Sequence, residues 1–124
     1  MLSDMEILRI CLNDLRFNSR IGVSDQERKV GNEYVVDVCV AYDACLFEDE
    51  KLDSSISYAD VYEEIKEEMQ IERQLLESTA ICISRRISAR WKIAQEIVVK
   101  IEKCTPPISG IVGSCGVEYF WKKS

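Results

Sequence analysis

The chain has 124 residues, 47% of them hydrophobic and 31% charged, which is typical of one globular domain spanning residues 1–124. The formal net charge is −6, and the basic residues are scattered, so nucleic acid and anionic membranes are poor partners. The N-terminus lacks the basic and apolar regions of a signal peptide, and no apolar run approaches the roughly 20 residues that span a bilayer. We therefore expect a cytoplasmic protein.

Histidine is absent from the sequence. This excludes Ser–His and Cys–His nucleophile pairs and the commonest zinc ligand. The six cysteines include no Cys-x-x-Cys pair, and without an export signal we expect free, buried thiols. Any catalysis must depend on Lys, Glu, Asp, Tyr, Cys or the backbone, and the sequence predicts no metal site.

The first half of the chain has the alternation of β-strands. Apolar residues occupy every second position of Glu33–Asp43, which predicts a half-buried strand. Glu6–Phe17 alternates more weakly and predicts a first strand. The connection Asn18–Asn32 would join the two strands as a long antiparallel hairpin.

From Ser57 the apolar spacing changes to that of a helix, with Tyr58 at the start of the apolar stripe and Ser57 as its N-cap. The acidic residues of this helix, from Glu63 to Glu68, are expected to form its solvated face. A second helix is predicted from about Gln74 to Trp91.

Strand character returns after the second helix. Alternate residues from Ile97 to Lys103 predict a third strand that ends before Pro106-Pro107, and Cys115–Trp121 predicts a fourth. The order β-β-α-α-β-β predicts an α+β fold in which two helices cover one face of a four-stranded antiparallel sheet. Neither outer strand is short or heavily charged, so we expect subunits to associate through the sheet edges, which would close a barrel.

Four polar residues are candidates for chemistry. Lys103 ends a strand, where a rigid element opens into a loop, although a surface lysine is the simpler interpretation. Glu77 lies near the start of the second helix, Tyr58 begins the first helix, and Glu27 lies in the hairpin connection. From the residues alone, the simpler interpretations are a solvated helix-terminal acid for Glu77, a core aromatic for Tyr58 and a solvated loop acid for Glu27.

Four segments containing these residues together resemble the dihydroneopterin aldolase family. They are IGVSDQERKVGNEYVVDV, SSISYADVYEEI, QLLESTA and KIEKCTPPISG, in the order and spacing of that family. One departure is the residue before the loop glycine, which is Ile21 here and a histidine in many family members. The resemblance covers most of the chain.

The resemblance implies a role for each candidate residue. Lys103 would be the catalytic lysine that moves protons, and Glu27 the acid beside it. Glu77, with backbone groups near Leu76, would anchor the amino-pyrimidinone edge of a pterin. Tyr58 would contact the substrate from a neighbouring subunit and assist protonation. The family fold is the tunnelling fold, in which tetramers close a barrel and usually stack as octamers.

The implied reaction is the retro-aldol cleavage of 7,8-dihydroneopterin in folate biosynthesis. It yields 6-hydroxymethyl-7,8-dihydropterin and glycolaldehyde, with C2′ epimerisation as a side activity, and needs no metal, Schiff base or bound cofactor. Two alternatives remain open. One is an epimerase acting on dihydroneopterin or its triphosphate, for which Arg20 or Arg28 could bind phosphate. The other is a non-catalytic pterin-binding or assembly subunit.

Overall fold

The sheet has four antiparallel strands in the order β1-β2-β3-β4. A computed structural model describes residues 4–104, 110 and 112–124. The strands are β1 (Ile7–Ser19), β2 (Asn32–Asp43), β3 (Ala94–Lys103) and β4 (Cys115–Lys122). The ends that the sequence specified lie within two residues of these bounds, except that β3 begins three residues before the predicted Ile97. The proposed strand terminator Pro106-Pro107 lies outside the described residues.

Three α-helices connect the strands. A short helix, α1 (Asp25–Val30), lies within the β1–β2 connection, and two longer helices, α2 (Tyr58–Met69) and α3 (Leu76–Arg90), lie between β2 and β3. Single 3₁₀ turns occur at Ala44–Leu46 and Leu52–Ser54. The two long helices lie where the sequence predicted them, and α1 was not predicted. None of the helices in the described ranges is long and apolar enough to cross a membrane.

The core lies between the sheet and the two long helices. The inward side chains of β2 and β3 are fully enclosed, those of β1 and β4 are mostly half-buried, and the inward side chains of α2 and α3 pack against them. Each such side chain contributes about 1.5–3 kcal/mol through burial. The central members of this core are Val36, Val38, Val40, Ile97, Val99, Ile101, Val61, Ile65, Ile83 and Ile87.

The surface of α2 differs from the prediction at two positions. Ser57 caps the helix as expected, accepting a hydrogen bond from the backbone N–H of Asp60. Tyr58, however, is 71% exposed and so is not a core aromatic. Glu68, expected on the solvated face, is only 6% exposed. Near the C-terminal end of α2, Glu68 lies between Arg73 and Arg86.

Glu68 is buried because both carboxylate oxygens are paired. Arg73 donates to one oxygen at 2.8 Å, and Arg86 donates to the other at 3.0 Å. Arg86 and Arg90 both donate to Glu64 on the same helix. These pairs fasten α2 to α3 and to the segment between them.

The expectation of six free cysteines is wrong for two of them. Cys11 and Cys39 lie directly opposite each other on β1 and β2 and form a disulfide. Their separation of 28 residues carried no pairing signal, because only the strand register brings them together. The pair also removes one support for a cytoplasmic location, since disulfides are rare there. The free cysteines are Cys45, Cys82, Cys104 and Cys115.

Candidate active site

A cavity of about 250 Å³ lies at the end of β3 where the N-terminus of α3 meets the β1–β2 connection. Lys103, Glu27, Leu76 and Glu77, four of the five residues selected from the sequence, line this cavity. A separate cavity of about 330 Å³ at the opposite end of the sheet contains none of the five. The candidate site is therefore assembled from segments that are far apart in sequence.

Lys103 is a buried cation with one carboxylate partner. It continues the inward-facing positions of β3 and is 7% exposed. Its Nζ donates to Oε2 of Glu27 at 2.5 Å. A charged hydrogen bond of this length holds the amine in one place, and its burial excludes the interpretation as a surface lysine.

Glu27 is fixed at both of its carboxylate oxygens. Oε2 meets Lys103, while Oε1 accepts from the backbone N–H and the hydroxyl of Ser24, each at 3.3 Å. The Ser24 hydroxyl in turn accepts from the backbone N–H of Glu27, which completes a capping box for α1. The hydrogen bond from Lys103, followed by that from the Ser24 backbone, lowers the pKa of Glu27 below its ordinary value. These hydrogen bonds therefore favour the carboxylate form of Glu27.

Gly22 leaves space for the Glu27 side chain because it has no Cβ. A Cβ at position 22 would lie 2.5 Å from Cβ of Glu27 and 3.2 Å from its Oε2. The Gly22 carbonyl accepts from Arg28 at 2.8 Å, and the Gly22 N–H donates to the Arg73 carbonyl at 3.0 Å. The loop before α1 is therefore held closely against the carboxylate it supports.

Tyr34 forms part of the cavity wall next to this loop. It is the direct cross-strand partner of Lys103 on β2, and it is 1% exposed. Its hydroxyl donates to the Ile21 carbonyl. Burial, with a smaller effect from the negative charge of Glu27, raises the pKa of Tyr34 to about 12.

The N-terminus of α3 forms the opposite wall. Leu75 is its N-cap and supplies no side-chain hydrogen bond, and Leu76 and Glu77 begin the first turn. The first backbone N–H groups of a helix lack partners within the helix, so they can bind an acceptor on a ligand. The Glu77 carboxylate is exposed and can accept hydrogen bonds from a donor edge.

Tyr58 does not line the cavity of its own chain. This position agrees with the implied contribution from a neighbouring subunit but does not test it. The structure adds Tyr34, Cys115 and Gly116 as lining residues. Cys115 lies at the cavity because it is the cross-strand partner of Lys103 on β4, a neighbour that only the strand register reveals. Gly116 allows close approach of the strands, since a Cβ there would lie 2.2 Å from the Ile101 carbonyl oxygen.

The chain is similar to proteins of one family. The sequence model of the dihydroneopterin aldolase family matches residues 10–120. A dihydroneopterin aldolase of Staphylococcus epidermidis is 30% identical over 111 residues, covering 88% of this chain and 92% of its own.

Two solved structures share the fold. The Escherichia coli dihydroneopterin aldolase in complex with neopterin has a TM-score of 0.79 and 24% identity, covering 94% of this chain and 99% of its own. The Burkholderia thailandensis enzyme bound to guanine has a TM-score of 0.76 and 18% identity, covering 95% and 93%. The match to the family model extends over most of the chain, from β1 to β4, so this chain belongs to the dihydroneopterin aldolase family.

Proposed function

We propose that this chain is a dihydroneopterin aldolase that cleaves 7,8-dihydroneopterin in folate biosynthesis. The observation that carries the proposal is the buried Lys103–Glu27 pair beside the open N-terminus of α3. Such a site combines a group that moves protons with a wall that can bind a flat heterocycle. Relatives named for this reaction, including one solved with neopterin, support the choice of substrate.

The pterin would bind against the first turn of α3. The exposed Glu77 carboxylate would accept two hydrogen bonds from the N3–H and the 2-amino group of the pterin. Backbone N–H groups near Leu76 would bind the ring carbonyl. Guanine has the same amino-pyrimidinone edge, and the Burkholderia enzyme was solved with guanine bound.

Lys103 would move protons at the side chain of the substrate. Loss of the 2′-hydroxyl proton lets the C1′–C2′ bond break, and glycolaldehyde leaves. The electron pair passes to the protonated N5=C6 imine of the substrate, and reprotonation at C1′ gives 6-hydroxymethyl-7,8-dihydropterin. Because the substrate accepts these electrons, Lys103 acts as an acid and a base without forming an imine, and the reaction needs neither metal nor cofactor. Glu27 would orient the amine and take part in the transfer.

Tyr58 would complete the site from a neighbouring subunit. It is 71% exposed and lies away from the cavity of its own chain, so a partner could present it to the substrate. β1 and β4 are the edge strands of the sheet, and pairing between subunits would close the barrel of the tunnelling fold. We propose a single domain over residues 1–124, an octamer of two stacked tetramers, and a cytoplasmic location.

We propose the unphosphorylated substrate, because one of the two arginines considered for phosphate is already paired within the chain. Of the two arginines considered for phosphate, Arg28 already donates to the carbonyls of Gly22 and Val23 and pairs with Asp25. Lys103 is occupied by Glu27. C2′ epimerisation would use the same intermediate, with glycolaldehyde adding back to its other face, and we propose it as a side activity.

Incubation with 7,8-dihydroneopterin and chromatographic separation of the products tests the function. We expect 6-hydroxymethyl-7,8-dihydropterin and glycolaldehyde in equal amounts, before and after treatment with EDTA. An epimer as the main product would make the chain an epimerase. Pterin binding without turnover would make it a binding subunit, and loss of turnover with EDTA would refute the metal-free mechanism.

Two substitutions separate chemistry from binding. Lys103→Ala should nearly abolish turnover while pterin still binds, with the exposed Lys100 on the same strand as the control in Lys100→Ala. Glu77→Ala should chiefly abolish binding, measured by pterin fluorescence, with the exposed Glu72 replaced in parallel. Equal losses in a variant and its control would contradict the assigned role.

A further inference from the structure

Tyr34 is buried beside the Lys103–Glu27 pair, yet the reaction assigned to that pair does not use it. Its phenol could be an ordinary core side chain with a satisfied hydroxyl. Two contacts argue otherwise. Tyr34 faces Lys103 across the β2–β3 ladder, and its hydroxyl binds the loop that carries Gly22.

The loop connects Tyr34 to Glu27. The phenol donates to the carbonyl of Ile21, which is 1% exposed, so water cannot easily replace this donor. Gly22 follows directly, and its α-carbon lies against the Glu27 side chain so closely that no Cβ fits between them. Movement of the Ile21 carbonyl would therefore change the surface on which the carboxylate rests.

The other constraints on this loop leave its Ile21 carbonyl to Tyr34. Arg73 holds the segment from one side, through backbone hydrogen bonds to Arg20 and Gly22. Arg28 holds the carbonyls of Gly22 and Val23. Tyr34 thus supplies the hydrogen bond that ties the Ile21 carbonyl to the sheet, and it does so from the position directly opposite Lys103.

We propose that Tyr34 is a positioning residue, which holds Glu27 against Lys103 through the Ile21 carbonyl. This inference rests on the proposed function for its kinetic consequence. The phenol does not itself exchange protons in the working range, because burial raises the pKa of Tyr34 to about 12. Its effect on a pH profile must therefore pass through the pair it positions.

Tyr34→Phe tests the proposal by removing only the hydroxyl. We expect kcat to fall about tenfold while KM changes less than about twofold, because ground-state binding involves the opposite wall. The acidic limb of the pH profile should move to higher pH, since a loosened pair lowers the pKa of Glu27 less. Tyr42→Phe is the matched control, because Tyr42 is also 1% exposed and lies on the same face of β2.

A double substitution and a fluorinated residue examine the mechanism separately from folding. In a Glu27→Gln background, Tyr34→Phe should reduce kcat by less than about twofold further, because both changes disrupt one arrangement. Replacement of Tyr34 by 3,5-difluorotyrosine keeps the shape of the phenol but releases its proton at lower pH. It should add a new basic limb to the profile, and the same replacement at Tyr42 should not.

One measurement does not depend on turnover. The rate at which acetic anhydride labels Lys103, followed by mass spectrometry of its peptide, should rise several-fold in Tyr34→Phe and stay unchanged in Tyr42→Phe. If the wild-type chain did not cleave dihydroneopterin but labelling changed as expected, the proposed function would fail and the positioning role would stand. Unchanged labelling, additive losses with Glu27→Gln, or an effect on KM alone would overturn the positioning role.

Discussion

Gly22→Ala should separate Lys103 from Glu27 without replacing either charged residue. The new Cβ would lie 2.5 Å from Cβ of Glu27 and 3.0 Å from its Cδ. Carbon atoms pack at about 3.5–4.0 Å, so the two side chains must move apart by about 1 Å or more. Because Arg28 and Arg73 hold the Gly22 backbone, Glu27 is the part that must yield.

The size of the effect follows from the length of the ion pair. Nζ of Lys103 and Oε2 of Glu27 are 2.5 Å apart, and a shift of about 1 Å brings them to the limit of a hydrogen bond. Displacements of this size at reacting groups can reduce rates by about a hundredfold. Crowding of the buried loop should also lower the free energy of unfolding by about 1–3 kcal/mol.

The assay is steady-state cleavage of 7,8-dihydroneopterin, with unfolding by urea measured on the same preparations. We expect kcat to fall by about a hundredfold and KM to change little, because the α3 wall is unaffected. Val30→Ala is the control, since Val30 is 69% exposed at the end of α1 and does not line the cavity. A wild-type kcat in Gly22→Ala would show that close contact between Glu27 and Lys103 is not needed for turnover.

Three further predictions concern the frame around the site. Glu68→Ala should lower the free energy of unfolding by about 2 kcal/mol, because it removes a buried carboxylate that pairs with two half-buried arginines. Glu67→Ala, at an exposed position, should change it by less than about 0.5 kcal/mol, and equal urea midpoints would refute this. The lowered pKa of Glu27 stabilises the folded chain at pH values above 4.5, the ordinary pKa of the group. This stabilisation is lost as the pH falls through the lowered pKa of the folded state. The melting-temperature advantage of wild type over Glu27→Gln should therefore shrink below that pH, and an advantage independent of pH would contradict it. Finally, alkylation in denaturant should modify four thiols without reductant and six with it, because Cys11 and Cys39 are paired; six in both cases would disprove the disulfide.

The sequence predicted the fold well because its elements have clear periods. The alternation of β2 and β3 and the helical spacing from Ser57 each match the burial observed. Lys103 continues the inward-facing row of β3, so strand alternation pointed to its burial, whereas the simpler interpretation as a surface lysine was wrong. The local sequence pattern was sufficient to predict an element wherever every second side chain of a strand, or one face of a helix, is buried.

Features that depend on distant contacts were not predicted. The burial of Glu68 requires arginines from α3 and from the segment before it, and the disulfide requires the β1–β2 register. The helix α1 is different, because Ser24 and Glu27 have the spacing of a capping box and could have revealed it.

The shared carboxylate of Glu27 makes α1 a reporter of the site. None of the six residues of α1 is buried, so the helix has little packing of its own and depends on its cap. One oxygen of Glu27 closes that cap while the other holds Lys103. Local opening of α1 therefore releases the lysine, and events at the lysine alter how often α1 opens. Hydrogen exchange of the α1 amides should therefore slow when a ligand tightens the pair.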